Sequence, residues 1–299
     1  MIGPDRACGR CEGAIPQAAG IGLRFAHHRA LLDALPPIGW VEVHSENYLS
    51  GPALETLEAV RCRYPVSLHC VGLSLGSAQG IDADHLERIA TLCARIEPGL
   101  VSEHLAWGRV DHAFLADLLP LPLTEESLAV VAANIARMQD RLRRPVLIEN
   151  PSTYVQFAHT TIPETEFLTH LVARTGCGLI CDINNIVVSA TNHGWDAQRY
   201  LQALPAAAIG EYHLAGHGPV SAVLEGEASS GMLLDTHDRP VAESVWSLFA
   251  DALRILGPRP ALIEWDADLP ALAVLLGQAD RAAHHLQAVS AQGFDVQPA

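Results

Sequence analysis

The sequence predicts an α/β chain folded as one (β/α)8 TIM barrel. Three observations carry that expectation. From Gly20 onward, short β-rich apolar runs alternate with segments of helical period to the end of the chain, the pattern of parallel strands joined by crossover helices. Six of the runs end on a residue able to bind a metal: SLHC with His69, VSEH with Glu103 and His104, LIEN with Glu149, LICDINN with Asp182, GEYHLAGH with His213 and ALIEWD with Glu264. In a parallel barrel such strand ends meet on one face, where that fold builds its sites. The only glycine-rich turn, GLSLGSAQG, has neither of the spacings by which open α/β sheets hold phosphates, so a nucleotide-binding sheet is disfavoured.

The first strand is GIGLRF, and a helix is expected around Arg29–Leu35. WVEVHSENY is the second strand, followed by the helical segment PALETLEAVRCRY. PVSLHCVGLSL is the third, and DADHLERIATLCARI after it opens on an N-cap Asp. LVSEHLAW is the fourth. It leads through an irregular stretch, DHAFLADLLPLPLT, into the amphipathic helix TEESLAVVAANIARMQDRLRR, which has Thr124 as cap and acids in its first turn. PVLIENP is the fifth strand, with the helix PETEFLTHLVARTG after it. GLICDINNIVV reads as the sixth, with the helix DAQRYLQALP. IGEYHLAGH is the seventh, followed by a long loop, SAVLEGEASSGMLLDTHDRPV, and the helix AESVWSLFADALRILG. PALIEWD is the eighth strand, and LPALAVLLGQADRAAHHLQAV closes the chain. The expected organisation is a disordered tail over residues 1–19 and one barrel domain over residues 20–299.

Composition narrows the function. Hydrophobic residues make up 49% of the 299, which supports a large core, and 34 acidic against 19 basic residues give a formal net charge of -15. That charge argues against nucleic acid as a partner. Without a long uninterrupted apolar run or a signal-like N-terminus, no membrane partner is expected, and a cytoplasmic location is. The seven cysteines show no secreted-scaffold spacing, and most read as reduced core residues. Cys8 and Cys11 form a lone CxxC without the second pair a zinc ribbon needs.

A carboxylate directly after a buried strand is costly unless it is paired or ligated. Glu149, Asp182 and Glu264 all stand in that position, and His69, His104 and His213 stand at matching strand ends. Together they read as one metal cluster, with Fe, Mn and Zn all compatible with His and carboxylate ligands. Asp235 and His237 form a D-x-H in the long loop. If extended, they point the same way and can share a metal. His44 shares a strand face with Glu42 and Glu46, and His217 lies past a strand end. His27, His28, His284 and His285 read as surface histidines. No nucleophile elbow occurs, and the cysteines show no partner for thiol catalysis.

The order H…H…E…D…H…DxH…E resembles that of the xylose-isomerase-like barrels. By that likeness His69, His104 and Glu149 serve one metal. Glu149 bridges to a second, held also by Asp182, His213 and Glu264, and Asp235 with His237 holds a third. In that superfamily a His commonly stands three residues after the sixth-strand Asp, where this chain has Asn185, which is taken with the candidate metal residues.

A more specific likeness runs from about Gly20 to about Asp266. The blocks GIGLR, EVHSENY, SLHCVGLSLGS, SEHLAW, IENPSTY, CDINNIVVSATNHG, EYHLAGH and DTHDRPV resemble the MbnB-like family of multinuclear non-haem iron oxygenases, which includes the methanobactin-synthesis enzyme. The resemblance implies two or three irons, O2 as oxidant, cysteines of a ribosomally made precursor peptide as substrate, and a leader-binding partner protein. Under it Glu149, Asp182, His213 and Asp235 are the candidate catalytic residues. Glu46, Asn150, Tyr154 and Asn184 are candidates for holding the ligands or the substrate. Two other readings stay open. One is a sugar isomerase or phosphodiesterase on the same barrel, against which the scarcity of lysine and the negative charge count. The other is a non-catalytic metal- or peptide-binding subunit.

Overall fold

The computed structural model describes residues 13–110, 113–220 and 231–291. The Cys8–Cys11 motif lies outside the described residues. From Gly13 the stretch read as a tail runs under the barrel, where the Trp40 indole donates to the Ala18 carbonyl. Strand β1 (Ala19–Gly22) follows, then a 3-10 turn and α1 (His28–Ala34). β2 (Trp40–His44), α2 (Gly51–Arg61), β3 (Val66–Cys70), α3 (Ala83–Ile96) and β4 (Leu100–His104) continue the alternation. β5 (Trp107–Val110) and β6 (Ala113–Leu119) interrupt it before α4 (Glu125–Leu142), β7 (Leu147–Glu149) and α5 (Glu164–Thr175). β8 (Gly178–Asp182), α6 (Ile183–His193), α7 (Ala197–Ala203) and β9 (Ile209–Leu214) come next. After β10 (Gly218–Pro219) and β11 (Leu233–Leu234) the chain finishes with α8 (Glu243–Leu256), β12 (Ala261–Ile263) and α9 (Leu272–Ala291). The parallel strands β1, β2, β3, β4, β7, β8, β9 and β12 close into a barrel, β12 pairing back onto β1. This is the architecture the alternation predicts.

Local chemistry sets the helix starts. Asp82 accepts from the His85 amide at the head of α3, Thr124 forms a capping box with Ser127 on α4, and Asp196 accepts from the Gln198 and Arg199 amides on α7. Inside the barrel, side chains two apart on each strand share the inner face. At the N-terminal end that face is apolar. The Trp40 ring occupies the space a Cβ on Gly20 would need, 2.5 Å away, and Leu147 does the same beside Gly178 and Gly210. Trp40 is fully buried. The base of the barrel is therefore filled by two large side chains facing three glycines, and the polar residues crowd toward the other end.

Three local expectations are corrected. The segment after Asp182, read as a continuation of a strand, is α6, because the Asp182 carboxylate caps a helix there by accepting from the Asn185 amide at 2.6 Å. The irregular stretch after the fourth barrel strand is an antiparallel hairpin, β5 with β6. His27 and His28 are buried rather than on the surface. The 3-10 turn after β1 folds them inward, His27 Nε2 meeting the Pro270 carbonyl at 2.9 Å and His28 Nε2 the Tyr48 hydroxyl at 2.6 Å. His284 is exposed, and His285 is half-buried against the Trp246 ring.

Candidate metal centre at the mouth of the barrel

Register brings the strand-end residues into one layer. His44 lies opposite His69, His104 opposite Glu149, and Asp182 opposite His213 in the ladders. His69, His104 and Glu149 form a triangle. The two Nε2 atoms are 3.3 Å apart, and Glu149 Oε2 lies 3.3 Å from His69 and 3.5 Å from His104. Ligands about 2.1 Å from a common ion sit about 3.0–3.5 Å from one another, so the triangle has the size of a coordination face. His69 Nδ1 is engaged by the Ser102 hydroxyl at 2.7 Å, which fixes the ring with Nε2 aimed at the cluster.

Glu149, Asp182 and His213 form a second group, with all their ligand atoms within 4.8 Å of one another. Glu149 Oε1 lies 3.7 Å from His213 Nδ1, and Glu264 Oε2 approaches the same nitrogen at 3.4 Å. Glu149 therefore presents one oxygen to each group, as a bridging carboxylate does. Asp182 divides its carboxylate in a similar way. Oδ1 caps α6, and Oδ2 is buried with no hydrogen-bond partner.

The loop after β9 carries Asp235 and His237 into the same mouth. His237 Nε2 and Asp235 Oδ1 are 2.6 Å apart but not aligned as a hydrogen bond, the arrangement of two groups aimed at a shared third point. His237 has a left-handed backbone at φ 47°, held by its amide to the Gly216 carbonyl and by its own carbonyl receiving the Asp266 and Ala267 amides. Asn184 donates to Asp235 Oδ1 at 2.6 Å, and the Tyr154 hydroxyl receives the Asp235 amide at 3.1 Å. Asn185 donates to the Asn150 carbonyl at 3.0 Å and reaches Glu149 Oε1 at 3.4 Å, leaving its own Oδ1 buried and unpaired. Asn150 exchanges two hydrogen bonds with the Asp182 backbone and so ties β7 to the end of β8. Glu46 stands apart from the cluster, engaged by His85 at 3.0 Å and by the Val71 amide at 3.2 Å.

Arg24, Asp266 and Glu211 were not singled out from sequence. Arg24 forms ion pairs with Asp266 and Glu264 and lies 3.0 Å from His44 Nε2. His44, Glu264 and Asp266 make a further group of ligand type. Deeper in the barrel, Glu42 and Glu211 each approach His213 Nε2 at 3.4 Å. The signal for both acids was present, since each stands two residues before a mouth histidine on the same strand face. Glu103 faces away from the centre and receives the Leu73 and His104 amides.

The electrostatics show what this donor set lacks. Burial pushes the Asp182 carboxyl well above the usual range, and Glu149 and Asp235 add to it. Burial opposes charge on His213, yet Glu149 and Glu42 outweigh it and raise the imidazole well above its ordinary value. His237 behaves alike beside Asp235 and Glu264, and His104 is pushed up to about 9 beside Glu149. Burial and the neighbouring His104 and His213 hold His69 well below the imidazole range, so it stays a neutral donor of its lone pair. Glu264, despite burial, is held well below the carboxylate range by His237 and His213. Glu149 Oε2, Asp182 Oδ2, both nitrogens of His213 and His237 Nε2 are buried without hydrogen-bond partners. Each such atom costs about 1–3 kcal/mol. Crowded carboxylates with one guanidinium among them, and imidazoles drawn toward protonation, describe a cluster short of positive charge. Divalent cations fit it.

A cavity of about 230 Å3 lies over the cluster, bordered by His44, His104, Glu149, Asp235, His237 and Glu264. Among the described residues no helix is long and apolar enough to cross a membrane. Cys70 and Cys181 are buried thiols, each driven well above the ordinary thiol value by burial, which argues against a nucleophilic role.

Comparison with known proteins agrees with this architecture. The chain is similar in structure to a D-tagatose 3-epimerase-like protein, with a TM-score of 0.59 at 14% identity over 92% of this chain and 99% of that one. It is also similar to a xylose isomerase domain-containing protein of Salmonella typhimurium, with a TM-score of 0.59 at 13% identity over 91% and 98%. These likenesses show the (β/α)8 barrel fold. In sequence it is 50% identical over 266 residues to a UPF0276 protein of Caulobacter sp. strain K31, covering 88% of this chain and 94% of that one. It is 46% identical over 271 residues to a UPF0276 protein of Paraburkholderia phytofirmans, covering 89% and 87%. The profile of the RiPP precursor modification enzymes MbnB/TglH/ChrH matches residues 18–287. That match takes in every barrel strand and each ligand group of the mouth, and the chain belongs to the MbnB/TglH/ChrH family of RiPP precursor modification enzymes.

Proposed function

We propose that the chain is a multinuclear non-haem iron enzyme that uses O2 to modify cysteines of a ribosomally made precursor peptide, acting with a leader-binding partner protein. The observation that carries the reading is Glu149, whose two carboxylate oxygens face two separate ligand groups in a family of peptide-modifying enzymes. His69, His104 and Glu149 would hold one ion. Glu149, Asp182, His213 and Glu264 would hold a second, and Asp235 with His237 a third. Bound iron would supply electrons to O2 and lower the pKa of a substrate thiol. The protein supplies the rest. Ser102 orients His69, and Asn184 and Tyr154 orient Asp235. The cavity above the cluster has room for one cysteine side chain.

The test has two arms. Metal analysis with Mössbauer or EPR spectroscopy on anaerobically purified protein identifies the ions. Mass spectrometry of the genomically neighbouring peptide, co-expressed with this chain and its partner, reads the reaction. Oxidative mass changes confined to cysteines, and absent with Glu149→Ala, are expected. An unmodified peptide under aerobic, iron-replete conditions favours a metal- or peptide-binding subunit instead. Modification that persists without O2 rejects the oxygenase mechanism.

A further inference from the structure

A second, larger cavity lies beside the candidate metal cluster and shares none of its ligand groups. It encloses about 850 Å3 between the loop that follows β7 and the α6–α7 corner, a size that suits a ligand of several residues' extent. Leu105, Leu123, Ile162, Trp195 and Val155 make its walls largely apolar. Pro151 lines both this cavity and the small one over the cluster, so the two lie on either side of a shared wall at the end of β7. Leu105 and Pro151 directly follow His104 and Asn150 at the strand ends.

One acid in this lining has no basic partner. Arg199 lies 3.6 Å from Asp196, and this exposed pair at the rim cancels. His193 is held below the usual imidazole range by burial, and it meets the Thr153 hydroxyl at 2.9 Å. Glu164, the first residue of α5, remains. Its Oε1 accepts from the Tyr200 hydroxyl at 2.5 Å, and its other oxygen has no hydrogen-bond partner among the described residues. Burial raises this carboxyl to about 7. A carboxylate in an apolar wall, with one oxygen already fixed and the other free, is complementary to an ammonium or guanidinium carried on an apolar ligand.

We propose that this cavity binds the segment of the peptide substrate flanking the modified cysteine, and that Glu164 selects a Lys or Arg side chain in that segment. The proposal rests on the peptide-modifying reading of the barrel mouth and adds the sequence preference of its substrate. A chain advances about 3.3–3.6 Å per residue when extended, so a cysteine over the cluster places its neighbours in the adjoining cavity. The chain's negative charge favours the same choice of partner.

The experiment is isothermal titration of the full-length, metal-loaded protein with two dipeptide probes, acetyl-Phe-Lys-amide and acetyl-Phe-norleucine-amide. They match in shape and differ in the ammonium. The Lys probe should bind at least about tenfold tighter, as a partly desolvated charge pair supplies. Glu164→Gln keeps an acceptor for Tyr200 and should shrink the ratio to about threefold or less. Val155→Arg, at an exposed wall position, adds a repelling charge without touching the core and should weaken the Lys probe more than the norleucine probe. Equal affinities in the wild type overturn the proposal, as does a ratio that survives both substitutions. Displacement of the Lys probe by the partner protein alone assigns the cavity to that partner and also overturns it. Neither probe contains cysteine, so failure here leaves the oxidation assay untouched, and failure of that assay leaves this result standing.

Discussion

Replacing Glu149 by alanine should remove more than one metal per chain, because its two oxygens face different ligand groups. Replacing His237 should cost at most one, since among the cluster it reaches only Asp235, Glu264 and Asp266. Elemental analysis of both variants against wild type decides the matter, and loss of a single metal from Glu149→Ala would sink the bridge. At this scale the sequence was most legible where a ligand type follows a buried strand, as at His69, Glu149 and Asp182. It was least legible for Arg24 and Asp266, which stand past strand ends where loop geometry, not strand period, decides direction. Glu42 and Glu211 obey the same period-2 rule as the ligands. The sequence places Glu42 on the His44 face without giving it a role, and Glu211 is not named; the cost of burying these two deeper acids is offset by His213 between them.

Among the elements, α6 joins fold to chemistry through one side chain. Asp182→Asn keeps a good N-cap and should leave the helix intact while weakening metal binding. Asp182→Ala should lose about 1 kcal/mol more through the missing cap. Urea melts and metal content measured on both variants separate the two roles, and equal stabilities would refute the capping role. Sequence alone missed this boundary because INNIVV is β-branched enough to read as strand, and a single cap outweighs that propensity. The hairpin β5–β6 was missed for another reason. Phe114, Leu115 and Leu118 are all exposed, so its strand shows no alternation between a wet and a dry face. Helix α5 supplies a pH test. The folded Glu164 carboxyl is raised to about 7 by burial, above an unfolded value of about 4.3. The folded state then holds the extra proton, so its stability is full below the unfolded value and falls as pH rises through the folded one. Glutamine cannot ionise. The melting temperature of Glu164→Gln relative to wild type should rise by about 2–4 °C between pH 5 and pH 8. A difference independent of pH would show that the fold does not raise this carboxyl.

For the whole molecule, the closed order of strands was legible from alternation alone, while the plug at its base was not, since nothing in a sequence tells which glycine faces which ring. Gly20→Ala should destabilise the barrel by about 1–3 kcal/mol, because a methyl there meets the Trp40 ring. Equilibrium denaturation measures it, and an unchanged midpoint would mean that the ring has room to move. The plug also makes the barrel a vessel with one door. Under the proposed function, ions, dioxygen, peptide and product would all use the same opening and have to queue, and whatever entered last would shut in whatever entered first. On that function, loading the ions would precede the peptide. A chelator should then strip free protein readily and the peptide complex slowly, with the departure of the peptide setting the pace.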